Sequence, residues 1–205
     1  MSRRLANITL DTLDDLTRTC RRCVYWELDP LQRERATEVG GTALEKEAWV
    51  SNVLLEWGSC GKIAYVDGVA AAHVLYAPPA YVPRSLAFRS SPVSPDAVLL
   101  MTAFVRTEFA SSGLGRLLIQ GVAKDLRLRG IKALEAFGDL DWQGTACVLP
   151  AEYLLAVGFK TVKPHPRFPR LRLELKTTLS LREDVEVALE RLLGSMNPET
   201  ALRPV

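Results

Sequence analysis

The stretch Val105-Arg-Thr-Glu-Phe-Ala-Ser-Ser-Gly-Leu-Gly115-Arg116 joins an almost continuous apolar run over residues 97–105 to an amphipathic segment that ends near Arg129. The apolar run is typical of a central strand buried on both faces, and the apolar residues after the stretch recur with helical spacing. Because Gly113 and Gly115 have no side chain, an anion can closely approach the unpaired N–H groups at the helix start. The stretch therefore predicts a strand, a phosphate-binding loop and a helix.

The loop also has other interpretations, because a Gly-x-Gly turn alone is a weak signal. Gly113 can simply begin the helix while Gly115 packs against the sheet. The Gly-x4-Gly-Lys-Ser/Thr pattern of a Walker loop does not occur in the sequence. A dinucleotide fingerprint requires a third glycine, and this chain has Leu118 at that position. Both nucleotide motifs are therefore weak alternatives, while a purely structural role for the two glycines stays open.

The rest of the chain predicts an α/β fold, because its apolar period alternates between that of helices and that of strands. The first sixty residues are predicted to be mainly helical. Asp67-Gly68 is a tight-turn signal between two β-rich runs and predicts an antiparallel hairpin. The proline-rich residues 78–95 predict a functional loop or flap. The predicted helices outside the stretch cover residues 11–27, 30–38, 43–57, 150–157 and 182–193, and the other strands cover 62–66, 69–76, 131–137, 159–163 and 171–176.

Composition and charge describe an ordinary globular chain. Apolar residues make up 48% of the 205 residues, and 26 lysines and arginines face 24 aspartates and glutamates, giving a formal net charge of +2. So small a net charge predicts neither a nucleic-acid partner nor a membrane partner. The sequence has no apolar run of transmembrane length and no apolar signal core near its start, so we expect a cytoplasmic protein whose four cysteines are thiols.

Two segments, in the predicted order, resemble the GNAT acetyltransferase superfamily. Residues 105–116 resemble its acetyl-CoA signature, usually Val-x-Pro-x-x-Arg/Gln-x-x-Gly-x-Gly/Ala, and the Leu-Leu-Ala-Val-Gly-Phe of residues 154–159 resembles its later Tyr-x-x-x-Gly-Phe element. The resemblance covers residues 60–163 well and the first sixty only generally. It implies a GNAT-like mixed, mostly antiparallel sheet with helices on both faces, to which this chain adds an extra C-terminal helix.

The implied activity is that of an N-acetyltransferase, which moves an acetyl or small acyl group from acetyl-CoA to an amine by direct attack. The acceptor would be a small-molecule or peptide amine whose identity the sequence leaves open. The alternative is a non-catalytic acyl-CoA-binding regulatory protein on the same fold. We expect one domain over residues 1–205, with an acceptor-side region over 1–60, a sheet core over 61–176, and a helix and tail over 177–205. The oligomeric state stays open, and the final helix is a candidate interface for a homodimer.

The resemblance also implies where the cofactor lies. The pantetheine arm of CoA would run beside Phe104 and Val105, where the central strand separates from its neighbour. Ala110 stands where the motif usually has arginine or glutamine, so one phosphate-facing side chain is missing. The pyrophosphate would lie among the residues of the loop and helix start, namely Ser111, Ser112, Gly113, Leu114, Gly115 and Arg116.

The general acid and base are less directly implied. Leu154 occupies the place of the tyrosine that often protonates the departing CoA thiolate in this family, and the neighbouring Tyr153 would serve only if the helix register is shifted. Glu135, in the strand after the cofactor helix, is the candidate base if its side chain faces the cleft. Cys147 is a candidate nucleophile that would accept an acyl group as a thioester. An ordinary packed or structural role stays open for all three candidates.

The first helices wall the acceptor pocket in this family, which implies that Tyr25, Trp26 and Glu27 contact the acceptor. The nearby Cys20 and Cys23 have the spacing of a metal or redox pair. A zinc site would need two further ligands, and a redox pair would usually follow a strand of a thioredoxin-like unit. We therefore predict two thiols on a helix face and no metal, while a zinc-dependent interaction module built around Cys20 and Cys23 stays open as a third function.

Overall fold

Eight strands and five helices make up the computed structural model, which describes residues 2–143 and 147–175 of the chain. The strands are β1 (Arg3–Asn7), β2 (Gly61–Val66), β3 (Val69–Ala77), β4 (Ala97–Val105), β5 (Ala133–Asp139), β6 (Leu149–Pro150), β7 (Lys160–Lys163) and β8 (Arg170–Glu174). The helices are α1 (Arg18–Arg22), α2 (Pro30–Glu38), α3 (Thr42–Trp57), α4 (Leu114–Leu128) and α5 (Ala151–Ala156).

The strands form one mixed sheet with a parallel centre and antiparallel flanks. Their order is β1-β2-β3-β4-β5-β8-β7, and β6 pairs with β5 outside that path. The β4–β5 and β5–β6 pairings are parallel, and the remaining pairings are antiparallel. Together with helices on both faces, this mixed and mostly antiparallel sheet confirms the predicted fold class. The predicted C-terminal helix over residues 182–193 lies outside the described residues.

Each face of the sheet is covered by its own apolar layer. On one face, α4 and α5 bury Leu118, Val122 and Leu154 against strand residues such as Leu100 and Leu134. On the other face, α3 and the proline-rich segment before β4 pack with side chains such as Phe88 and Phe137. The loop after β4 therefore leads to the α4 face of the sheet, and α3 lies on the opposite face.

The region before Pro30 departs most from the sequence prediction. The sequence predicts one helix over residues 11–27, but the structure has a 3-10 turn at Leu13–Asp15 followed by the five-residue α1. The side chain of Thr17 accepts a hydrogen bond from the N–H of Cys20, so a new helix starts where the predicted one should continue. The sequence prediction also misses β1, because this strand is defined by its pairing with β2 far along the chain.

Elements with strong local signals agree with the sequence prediction. Asp29 accepts a hydrogen bond from the N–H of Gln32 and so caps α2, which begins with Pro30 as predicted. The hairpin of β2 and β3 turns at Asp67 and Gly68, both of which have positive φ. No helix among residues 2–143 and 147–175 has both the length and the apolar character needed to span a membrane.

Candidate active site

A gap between β4 and β5 opens the middle of the sheet. The two strands pair only between residues 97–99 and residues 133–135. Residues 100–105 of β4 continue along β3, but their other edge has no strand partner among the described residues. An extra residue at Met101 forms a bulge in β4 where the strands separate, and a bulge bends and twists its strand. The free edge can therefore offer backbone N–H and C=O groups to an extended ligand.

The start of α4 is the second open feature, and it follows β4 closely in the chain. Gly113 precedes the helix with a φ of +79° and provides no side-chain cap. The first backbone hydrogen bond of the helix runs from the N–H of Leu117 to the carbonyl of Gly113, at 3.0 Å. The N–H groups of residues 114–116 find no acceptor among the described residues. Ser111 also has a positive φ, of +59°, so the loop curls before the helix into a recess of the kind in which backbone N–H groups bind anions.

The backbone of β4, rather than its side chains, faces the gap. The ring of Phe104 stacks on His73 with 5.5 Å between centroids, on the face of the N-terminal helices. Val105 packs against the opposite apolar layer, under α4. Because side chains alternate between the faces of a strand, the hydrogen-bonding groups at these two positions lie in the plane of the sheet. This geometry suits a ligand that pairs with the backbone.

Two polar side chains of the loop are already engaged. The hydroxyl of Ser112 donates to the carbonyl of Phe109 at 2.5 Å, which tightens the turn before α4. Arg116 is exposed, and its guanidinium donates to the carbonyl of Ala156 at 3.5 Å. Arg116 therefore joins the start of α4 to the end of α5, and its long side chain stays at the surface beside the recess.

Tyr153 of α5 packs against Gly115, in the first turn of α4. A Cβ atom on Gly115 would lie 3.0 Å from the Tyr153 hydroxyl oxygen, so the two residues are in close contact. The hydroxyl is buried and has no hydrogen-bond partner among the described residues. Burial raises the pKa of Tyr153 to about 12, which keeps the phenol protonated at neutral pH. Leu154, at the position that the family resemblance gives to a tyrosine, is fully buried in the core.

Glu135 lies at the base of the gap but is held by positive charges. Its carboxylate pairs with Arg170 and Arg172 and also accepts the N–H of Ser94 at 3.1 Å. Burial alone would raise the pKa of this carboxyl, but the hydrogen bonds from Ser94, Arg170 and Arg172 outweigh burial and lower it. Glu135 is therefore an ionised carboxylate with both oxygens occupied.

The three residues proposed for the acceptor side have different environments. Trp26 is buried, stacks on Phe88 at 5.3 Å and donates its indole N–H to the carbonyl of Cys147 at 2.9 Å. Glu27 is also buried and forms an ion pair with Lys46. Tyr25 alone is partly exposed. Trp26 and Glu27 are thus packed in the interior beneath this region, whereas Tyr25 faces an open pocket.

That open pocket has a volume of about 470 Å³. It lies where the N-terminal segment, the proline-rich segment and the turn between β7 and β8 meet. Its titratable side chains are Arg84, Arg89, His165 and Tyr25, and no carboxylate lines it. The guanidinium of Arg84 lies 4.8 Å from the centre of the Tyr25 ring. The remaining lining residues are Ala87, Phe88, Pro166 and Phe168.

A much smaller cavity, of about 20 Å³, lies beside β4. Its volume is close to that required by one water molecule. Its wall includes Thr102 of β4 and the buried ion pair of Glu27 and Lys46. The thiols of Cys20, Cys23 and Cys147 complete the polar lining. Among the described residues, no group of three or more histidine, cysteine or carboxylate side chains has the arrangement of a metal site.

Sequence reasoning missed several of these residues. From its residue type alone, Lys46 would be expected to face solvent, but it is buried on the same helical face as Trp49, Val50 and Val53. This helical spacing is the sequence signal that could have predicted its burial. His73 is buried, its Nε2 has no partner among the described residues, and burial lowers its pKa to about 4, so it is neutral. No local pattern distinguishes this histidine.

Comparison with solved structures gives the architecture a name. No family model matches the sequence, and no curated protein matches it. The PaiA N-acetyltransferase of Thermoplasma acidophilum, solved with coenzyme A, aligns with 85% of this chain and 99% of its own at a TM-score of 0.56 and 10% identity. A GNAT-family protein of Desulfovibrio desulfuricans aligns over 85% and 99% of the two chains, at a TM-score of 0.53 and 19% identity. The chain has the GNAT fold.

Another structure with this GNAT fold is YncA of Salmonella typhimurium, solved with its cofactor acetyl-CoA. It aligns with 85% of this chain and 95% of its own, at a TM-score of 0.56 and 14% identity. At such low identities the likeness establishes the GNAT fold, and the chemistry has to be argued from the residues of this chain.

Proposed function

We propose that the protein is an N-acetyltransferase that moves an acetyl or small acyl group from acetyl-CoA to an amine by direct attack. The observation that carries this proposal is the continuity between the unpaired edge of β4 and the uncapped start of α4. A ligand that fits both features has an extended arm with amide groups and a pyrophosphate at one end. Coenzyme A has this combination, and the PaiA and YncA structures contain coenzyme A and acetyl-CoA.

The recess at α4 suits the cofactor in two further respects. Gly113 and Ser111 hold the positive φ values that turn N–H groups toward an anion, and the N–H groups of residues 114–116 have no acceptor among the described residues. We propose that the backbone of Phe104 and Val105 pairs with the arm, while residues 111–116 surround the pyrophosphate. When bound, acetyl-CoA supplies an acyl group activated as a thioester.

Calorimetric titration of the folded protein with acetyl-CoA, CoA and NADH tests the cofactor. Binding of acetyl-CoA and CoA without NADH would support the proposal, and no binding of any of them would overturn it. The alternative, a non-catalytic acyl-CoA-binding protein, predicts binding without turnover. Acyl transfer from acetyl-CoA to an amine panel, measured by thiol release and product mass, distinguishes the two functions.

Tyr153 is proposed to hold the proton that the departing thiolate takes. Tyr153→Phe is expected to lower kcat by about a hundredfold and to leave the Kd of acetyl-CoA nearly unchanged, because it removes the proton but keeps the ring against Gly115. The control is Tyr81→Phe, which removes a hydroxyl that donates to Glu56 on the surface. An unchanged kcat in Tyr153→Phe would assign the hydroxyl to packing alone.

Glu135 is the candidate base from the sequence, but its ion pairs with Arg170 and Arg172 favour a positioning role instead. Arg170, which its carboxylate holds, also donates to the carbonyl of Ser90 at 2.9 Å and to the hydroxyl of Ser94 at 3.1 Å. These contacts tie β5 and β8 to the proline-rich segment that walls the large pocket. We propose that Glu135 maintains this wall while the amine loses its proton to water in the pocket.

The large pocket is the proposed acceptor site, and its charges indicate which amines fit. The pocket offers Arg84, Arg89 and His165 but no carboxylate, and the Nε of Arg84 is buried without a partner among the described residues. Tyr25, Phe88 and Phe168 provide aromatic surface. An acceptor that carries a negative group and an apolar or aromatic body besides its amine would satisfy this lining.

Arg84→Gln is expected to raise the KM for an anionic acceptor about tenfold while leaving acetyl-CoA binding unchanged, because a charged hydrogen bond is lost. Phenylalanine and 2-phenylethylamine are suitable probes, since they differ by one carboxylate. The matched control is Arg33→Gln, because Arg33 also lies over the Tyr25 ring, at 5.3 Å, but does not line the pocket. Equal use of both probes by the unaltered protein would contradict an anionic acceptor.

A further inference from the structure

Two cysteines that are distant in sequence meet at the small cavity. The sulfur atoms of Cys23 and Cys147 lie 3.0 Å apart, although 124 positions separate the residues. Both are free thiols and both are partly buried. A disulfide bond is about 2.05 Å long, so the sulfurs would have to approach by only about 1 Å to bond. Neither the fold nor the proposed acyl transfer requires this contact.

The environment gives the two thiols different chemical roles. The hydrogen bond from the Cys147 thiol lowers the pKa of Cys23, and the N–H of Tyr25 and the charge of Lys46 act in the same direction, against burial and Glu27. The same contact, together with burial, raises the pKa of Cys147. Because a thiolate is the nucleophilic form of cysteine, Cys23 is the sulfur that reacts first and Cys147 is its neighbouring proton donor.

The other two cysteines lack this arrangement. Cys20 lines the same cavity, but burial raises its pKa and its sulfur makes no hydrogen bond to either of the other described thiols there. Cys60 is fully buried in the core, and burial raises its pKa to about 12. The reactive geometry is therefore confined to Cys23 and Cys147, and Cys20 provides an internal comparison within the same cavity.

We propose that Cys23 and Cys147 are a redox modification site that closes to a disulfide with hydrogen peroxide and reopens with a thiol reductant. The Cys23 sulfur attacks one peroxide oxygen, the O–O bond breaks, and a sulfenic acid and one water form. The Cys147 sulfur then attacks the Cys23 sulfur, the S–O bond breaks, and a second water leaves. The two sulfurs lose two electrons in total, and the peroxide gains them. A cavity with room for about one water suits so small an oxidant.

The cross-link would join two segments that border the proposed acceptor side. Cys23 directly precedes the segment of Tyr25 and Trp26, and Cys147 follows β5 and accepts the indole N–H of Trp26 through its carbonyl. A covalent bond at this point fixes the two segments to each other and removes the Cys23 thiolate from the wall of the cavity. The disulfide is independent of the proposed function, because it needs neither acetyl-CoA nor an acceptor.

The test is limited oxidation of the full chain with hydrogen peroxide, followed by non-reducing peptide mapping and intact mass. The expected result is the loss of two hydrogens, one Cys23–Cys147 linked peptide, and full reversal by dithiothreitol. Cys20→Ser should give the same linked peptide, whereas Cys23→Ser and Cys147→Ser should give none. The oxidised protein should melt about 5–10 °C higher than the reduced protein, because the link closes a long loop.

Three outcomes would overturn the proposal. The first is a linked peptide that joins Cys20 to Cys23, which would make the sequence-local pair the redox site. The second is irreversible oxidation of Cys23, and the third is no reaction at all in a protein whose circular dichroism spectrum shows it to be folded. Cys20→Ser retains both proposed partners, so failure to form the link in that variant alone would also contradict the proposal.

Discussion

Gly113→Val is expected to weaken acetyl-CoA binding by about a hundredfold or more while the protein stays folded. Gly113 has a φ of +79°, where a β-branched residue is strained, so valine would force the loop into another conformation. The N–H groups at the start of α4 would then no longer point into one recess. Calorimetric titration with acetyl-CoA measures the loss, and circular dichroism confirms that the fold is retained.

Gly130→Val provides the matched control for this experiment. Gly130 follows the other end of α4, has a φ of +76°, and like Gly113 has no atom within 4 Å of the Cβ that a substitution would add. The backbone strain is therefore similar at both sites, but only Gly113 belongs to the recess. Equal loss of binding in the two variants, or unchanged binding in Gly113→Val, would remove the phosphate loop from the proposed function.

Lys46→Met is expected to lower the free energy of unfolding by about 3–5 kcal/mol, because it leaves the Glu27 carboxylate charged and buried without its partner. Both side chains are only 2% exposed. Urea denaturation followed by tryptophan fluorescence measures the change as a lower midpoint at similar slope. A protein that already lies near its stability limit would show this as loss of soluble expression, so the measurement should start at low temperature.

The double variant Lys46→Met, Glu27→Gln separates the cost of an unpaired charge from the value of the pair itself. With both charges removed, the free energy of unfolding should recover most of the loss. The neutral amide of the glutamine at position 27 can still accept the hydrogen bond from the backbone N–H of Trp26. Similar losses in the single and double variants would show instead that packing of the lysine side chain matters more than its charge.

Local signals explain why part of this fold is predictable from sequence. The strand over Ala97–Val105 has the predicted bounds because a continuous apolar run indicates a strand that is buried on both faces. The helix over Pro30–Glu38 has the predicted bounds because Asp29-Pro30 is a local helix-start signal. The glycine turn before α4 is predictable for the same reason. In contrast, β1 is defined by its pairing with the distant β2. The helix predicted before Pro30 is interrupted because Thr17 caps a new helix there, and the apolar period of this region is too weak to show the break.

The composition of the large pocket could be predicted only in part. The family resemblance implies Tyr25 as an acceptor contact, but the arginines and the histidine beside it join the pocket only in the folded chain. Tyr25, Arg84 and His165 come from three separate segments, and no spacing between them carries a signal. The contact of Cys23 with Cys147 has the same origin. Tyr153 is an intermediate case, since the sequence gives its place beside Leu154, but only the packing of α5 on α4 brings its hydroxyl to Gly115.

The short parallel contact between β4 and β5 has a mechanical consequence. Three residue pairs join the two halves of the sheet along this line, whereas every neighbouring pair of long strands has more. The line is therefore a weak seam through the centre of the sheet, and a ligand that pairs with the free edge of β4 would bridge it. We expect the amide hydrogens of residues 100–105 that face the gap to exchange quickly in the free protein and slowly once the seam is closed.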